Sequence, residues 1–191
     1  EIADLQYGEL QFYDGSIYPE DGLTEEESQR LKDFLEQDED IERFMDVNMM
    51  NMTLENGQES HDAYLCVLSD PDRINEFLCF RDRTYELTDD GVIISEKTAN
   101  LLGVEKGDTV VIRGEEKGNK EVKIAQVCEN YMGHYLYLTA GYYEKIYGDE
   151  PEYNAIFFQV PESYSIEELE DAGQEILEQD EVLSVSYTHD I

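Results

Sequence analysis

The sequence lacks most of the features by which function announces itself. It contains no tryptophan, 4 prolines and 3 histidines in 191 residues. Its three cysteines, Cys66, Cys79 and Cys128, are widely separated with no CxxC pair. That spacing excludes a cysteine-rich zinc site and leaves an odd thiol. Cys66 and Cys128 lie in apolar, strand-like runs, where buried free thiols are common, and a disulfide among the three stays open. No apolar stretch approaches the roughly 18 residues of a membrane-spanning helix, and none of the 191 residues reads as a signal-peptide pattern. Basic residues are few: 13 Lys and Arg stand against 47 Asp and Glu, a formal net charge of −34. Such a charge repels phosphate backbones and anionic lipid, so neither nucleic acid nor a lipid surface is an expected partner.

Catalytic signatures are missing too. There is no GxSxG elbow, no GxxxxGK[ST] loop and no HExxH pair. His61, His134 and His189 fall in no ligand spacing. The acidic runs "TEEE", "EQDED" and "DEPE" contain no DxDxDG loop with a glutamate at its twelfth position, so they read as solvated charge. A carboxylate pair for hydrolysis could hide among 47 acids, and their abundance makes that uninformative. We expect no catalytic residue, no cofactor and no tightly bound metal.

What is present is periodicity. With 40% hydrophobic and 11% aromatic residues in regular patterns, the chain reads as folded rather than disordered, with its charge outside. Residues 3–13 alternate like a strand, and Asp14-Gly15 and the stretch from Pro19 to Gly22 look like breaks, with Ser16 in a turn. Thr24 to Glu27 forms a capping box ahead of Leu31, Phe34 and Leu35 on one helical face. Residues 41–54 and 63–68 read as strands joined at Asn56-Gly57, a hairpin signal. Asp70-Pro71 starts a short helix to about Phe77. Later the design recurs: a strand over 153–160, a capping box from Ser165 to Glu168, a helix and a last strand over 182–187. The letters echo as well, "FLEQDED" at 34–40 against "ILEQDEV" at 176–182.

Two strand–helix–strand units in one sheet make a split, ferredoxin-like layer. The expected class is α+β: a ferredoxin-like layer formed by 1–80 plus 150–191, with a β-rich subdomain inserted over 81–149.

Within the insertion, "GVIISEKTANLLGVEKGDTVVI" over 91–112 is fully assigned to scaffold. Val92 to Ile94 is a buried strand, Ser95 suits an N-cap, Gly103 a left-handed helix end and Gly107-Asp108 a turn. Strands follow at 109–113, 122–129 and 135–138, then a helix over 140–147 closed by Gly148. In "ENYMGHYLYL", Met132-Gly133 reads as a hairpin turn with aromatic pairs beside it. Tyr131, His134 and Tyr135 are the candidate partner-contact residues.

Three pieces in order, "GVIISEKTANLLGVEKGDTVVI", "VCENYMGHYLYLTAGYYEKIYG" and "YNAIFFQV", resemble the extracellular domain of FtsX-like ABC transporter permeases, which include the MacB-type periplasmic core domains. The resemblance covers residues 91–160. It implies a non-enzymatic extracellular module looped out between membrane helices of a full-length protein in the cell membrane, paired with a cytoplasmic ATPase. An opening at Glu1 without methionine and strand-like ends agree with such an excised segment. Some relatives handle cationic antimicrobial peptides, so a cationic peptide or a cell-envelope protein is the expected external partner. No functional residue transfers, because the shared motif residues are structural. The competing readings are a free-standing extracellular ligand-binding protein and, behind it, an acidic hydrolase.

Overall fold

A computed structural model describes residues 13–78, 83–129 and 133–190. Residues 3–12 of the strand expected over 3–13, together with Cys79 and Tyr131, lie outside them. Among the described residues, nine strands and five helices form an α+β fold built on one mixed sheet.

The layer comes first. Strand β1 is Gly15–Pro19, helix α1 is Glu25–Gln37, and β2 is the long Arg43–Asn56. Strand β8 is Ala155–Gln159, helix α5 is Ile166–Leu177 and β9 is Val182–Tyr187. Four of these strands stand in the order β2-β8-β1-β9, every neighbouring pair antiparallel. Each strand–helix–strand unit is therefore split by a strand of the other unit, which is the ferredoxin-like arrangement. Both capping boxes form: Thr24 accepts from the Glu27 N–H and Ser165 from the Glu168 N–H, each at 3.1 Å. The apolar faces of α1 and α5 (Leu31, Leu35, Leu169, Ile176) bury against Ile17, Ile156 and Phe158.

Two readings are corrected here. Gly15 and Ser16 belong to β1 rather than to a break or turn. Glycine is needed at position 15 for close approach, since a Cβ would lie 2.5 Å from the Ser186 carbonyl oxygen and 2.6 Å from the Phe158 ring. The letter echo, in contrast, is not matched in burial at its second position. Leu35 is 1% exposed, whereas Leu177, its match in the echo, is 39% exposed. The repeated unit is the architecture, not the letters.

Between β2 and β8 the chain builds a barrel. Strand β3 is Glu59–Leu68, and the Asn56-Gly57 signal does join it to β2 in a hairpin, with Gly57 at φ 62°. After Pro71–Arg73, a single 3-10 turn, comes the short α2, Ile74–Phe77; Asp70 makes no side-chain cap. Then follow β4 (Val92–Ser95), α3 (Glu96–Leu102), β5 (Thr109–Ile112), β6 (Lys120–Cys128), β7 (Tyr135–Thr139) and α4 (Ala140–Tyr147). The pairings run β3-β7-β4-β6-β5-β2, and β2 pairs again with β3, so six strands close on themselves. Closure rests on Leu54↔Ile112 and Glu55↔Val111, extended by the Arg113 N–H donating to the Thr53 carbonyl at 2.9 Å. Inside lie Leu65, Val67, Ile94, Ile112, Ile124 and Leu136, and α3 and α4 pack onto the same core through Leu102 and Tyr143. Closure leaves a barrel without unpaired edges.

Strand β2 belongs to both parts. Arg43 to Val47 pair with β8, and Val47 to Asn56 pair with β3. Asn154 extends the first pairing: its side-chain amide accepts from the Met49 N–H at 2.8 Å and donates to the Met49 carbonyl at 2.9 Å. A second core welds layer to barrel, with Met45, Val47 and Phe157 facing Cys66, Tyr137 and Cys128 on the barrel's outer side. Burial pushes the Cys66 thiol well up and the Cys128 thiol to about 12, so both are inert at neutral pH. The expected hairpin at Met132-Gly133 is overturned, because β4 stands between β6 and β7 and pairs with both.

Candidate functional site

Of the three candidate contact residues, His134 and Tyr135 are described, and the barrel brings them beside residues distant in sequence. His134 precedes β7, and its carbonyl accepts from the Tyr64 N–H at 2.8 Å, which continues the parallel β3–β7 ladder. This register sets the His61 ring 4.1 Å from the His134 ring and stacks Tyr64 on Tyr135 at 5.8 Å. Tyr135 stacks in turn on Tyr137 at 5.6 Å, a ladder running from the surface into the core. Tyr64 is 44% exposed and Tyr135 only 8%, so Tyr64, with the partly exposed His61 and His134, forms the outer face.

Beneath His134 runs a buried hydroxyl chain. The Tyr135 N–H donates to Ser95 Oγ at 3.1 Å, Ser95 and Thr98 hydroxyls share a 2.7 Å bond, and Thr98 Oγ1 lies 2.8 Å from His134 Nδ1. With the imidazole neutral and its proton on Nε2, the protons all point one way: Tyr135 to Ser95, Ser95 to Thr98, Thr98 to Nδ1. With a proton on Nδ1 the Thr98 hydroxyl would accept from the ring and donate to Ser95, whose own proton would then need another acceptor. The His134 pKa is held below its ordinary value by burial first, then by His61 and Lys97, which agrees with that order. Burial chiefly, with Cys66, Tyr64 and Tyr18 nearby, pushes the Tyr135 phenol up to about 12.

Serine, threonine and histidine in a row have the atom types of a nucleophile relay. Here both hydroxyls are fully buried, so no substrate carbonyl can reach Ser95. Ser95 does occupy the N-cap position of α3, but its side chain makes no cap hydrogen bond; the expected role is replaced by the buried chain. Nothing in "HDAY" or "SEKT" signals that Ser95, Thr98, His61 and Tyr64 converge on His134, because β-sheet pairing brings them together.

Two other places gather polar groups. Asp38, Asp40 and Glu175 bring carboxylate oxygens within 4.8 Å of one another beside the C-terminus of α1. Asp38 accepts from the Asp40 N–H at 2.9 Å, and Asp40 accepts from the Tyr164 hydroxyl. A groove of about 530 Å³ lies between Asn51–Thr53 of β2 and the turn carrying Arg113, Glu115 and Asn119. Arg113 is committed there to Glu55 at 3.1 Å. Among the described residues, no helix is long and apolar enough to cross a membrane.

No protein-family model matches the chain, and no curated protein does. Solved structures do. The extracellular domain of the noncanonic ABC-type transporter YknZ from Gram-positive bacteria is similar at 18% identity, over 91% of this chain and 98% of that one, with a TM-score of 0.52. The periplasmic region of MacB from Actinobacillus actinomycetemcomitans is similar at 12% identity, over 98% of this chain and 93% of that one, with a TM-score of 0.56. The fold of this chain is the α+β fold of extracellular and periplasmic domains of ABC transporter permeases.

Proposed function

We propose that the chain is a non-enzymatic extracellular module of an ABC transporter permease, whose full-length protein sits in the cell membrane and pairs with a cytoplasmic ATPase. The observation that carries this reading is the fold, shared across nearly the whole chain with two such domains. Topology supports it: β1 and β9 are hydrogen-bonded neighbours, and the Thr188 N–H donates to the Asp14 carbonyl at 2.9 Å. The first and last described strands thus leave the domain side by side, as a loop between two membrane helices requires. In this reading the layer, from residues 1–80 and 150–191, is the membrane-proximal unit, and the barrel, built by 81–149 together with β3 and the later part of β2, is the outer unit, with the continuous β2 carrying ATP-driven motion between them. Tyr131, His134 and Tyr135 are the proposed contact residues for a cationic peptide or a cell-envelope protein, joined by His61 and Tyr64 from the neighbouring barrel strand β3.

An epitope inserted after Lys117 of the full-length protein tests the placement. Antibody should stain intact cells, and co-purification in mild detergent should recover an ATPase. Staining only after permeabilisation would overturn the reading, and a soluble secreted protein would favour the free-standing binding protein.

A further inference from the structure

Among the described residues the barrel has no open edge, whereas the layer has two, and they differ. The Arg43–Asp46 start of β2 carries charge at both ends, and its Asp46 carbonyl accepts from the Ser69 N–H at 3.1 Å. Strand β9, VLSVSY, has no charge and no proline, the devices that usually protect an edge from foreign strands. Its inner side is set by the Thr188–Asp14 bond and the Ser186↔Ser16 register. Alternation then turns the main-chain groups of Ser184 and Ser186 toward β1, and those of Val185 and Tyr187 outward. Leu183, 56% exposed, stands on the same strand.

The surroundings have one sign. No lysine or arginine follows Lys145. Helix α5 packs over β9 and bears Glu167, Glu168, Glu170, Asp171 and Glu175, and Glu170 reaches the strand's end through the Tyr187 hydroxyl and His189. We propose that β9 is a docking edge that takes an extended, basic protein segment as an added strand, held by main-chain bonds to Val185 and Tyr187 and by the acids of α5. Charge selects this occupant over a second copy, because pairing β9 with β9 would bring two acidic layers together. The inference does not depend on the permease reading.

The test uses the intact chain and a synthetic peptide of alternating lysine and valine. Binding should slow amide hydrogen exchange at Val185 and Tyr187. The same peptide with every backbone nitrogen methylated keeps charge and side chains but has no N–H to donate, and it should not bind. The exposed pair S184K and S186K should weaken binding by about tenfold or more while the fold persists by circular dichroism. Equal binding of the methylated peptide would overturn the proposal, as would protection centred on Tyr64 and His134. Val185 and Tyr187 amides already protected without peptide would show the edge covered by this chain or a second copy, which also overturns it.

Discussion

The layer and the barrel share β2 yet manage charge and edges in opposite ways. Residues 81–149, which supply four of the six barrel strands, hold 13 acidic and 9 basic side chains, a net −4; the remaining residues hold 34 and 4, a net −30. All four basic residues outside 81–149 are committed to ion pairs: Arg30 to Glu181, Lys32 to Asp46, Arg43 and Arg73 to Glu76. The barrel, closed on itself, needs no repulsion to stay apart from its copies. Among the described residues the layer leaves β9 open, and it is surrounded by unneutralised acid, which keeps like surfaces apart. One region is protected by topology and the other by its field.

The largest effects should come from emptying the two cores. Phe158→Ala in the layer should cost about 3–5 kcal/mol, and Leu138→Ala in the barrel about 2–5. Because β2 runs through both parts, each variant should lower a single thermal transition. Two transitions, each moved by one variant, would show that layer and barrel unfold separately.

Gly15→Ala should cost about 1–3 kcal/mol by overpacking, since the added carbon meets the Ser186 carbonyl and the buried Phe158 ring. Denaturant midpoints measure it; an unchanged midpoint would mean that β1 can shift without loss.

Two serines at helix starts sharpen the contrast further. Ser95→Ala strands the buried Tyr135 N–H and should cost about 1–3 kcal/mol. Ser165→Ala removes an exposed cap and should cost about 1 kcal/mol. A smaller loss at Ser95 than at Ser165 would remove the hydroxyl chain from the account.

The smallest effect is acid dependence at His134. Its folded pKa is depressed, so the unfolded chain binds the proton more readily. The penalty is absent well above about pH 6.5, the value for free imidazole, and grows as pH falls through it. His134→Gln should flatten that slope, and an unchanged slope would assign it to other groups.

How far the sequence could be read followed the range of the interaction. Thr24 with Glu27 and Ser165 with Glu168 were legible because a capping box closes within one turn, and Gly103 and Gly148 because a left-handed residue ends a helix locally. Asp14-Gly15 was misleading because glycine signals a turn and a close strand approach with the same letter. Of the candidate site, His134 and Tyr135 could be singled out from their aromatic setting, but not His61, Tyr64, Ser95 or Thr98. Those four join the site only through β3–β7 register and the packing of α3.

The sequence by itself determined the acidic surface, the capped helices and the two strand–helix–strand units of an α+β fold. Each depends on composition or on residues a few positions apart. Tertiary structure alone decided that β2 would close a barrel against β5, that β4 would stand between β6 and β7, and that the Ser95 and Thr98 hydroxyls would be joined to Tyr135 and His134. Those outcomes are set by which main-chain edges remain to be paired and which polar groups are buried together. Both are properties of the assembled sheet, and no window of sequence contains them.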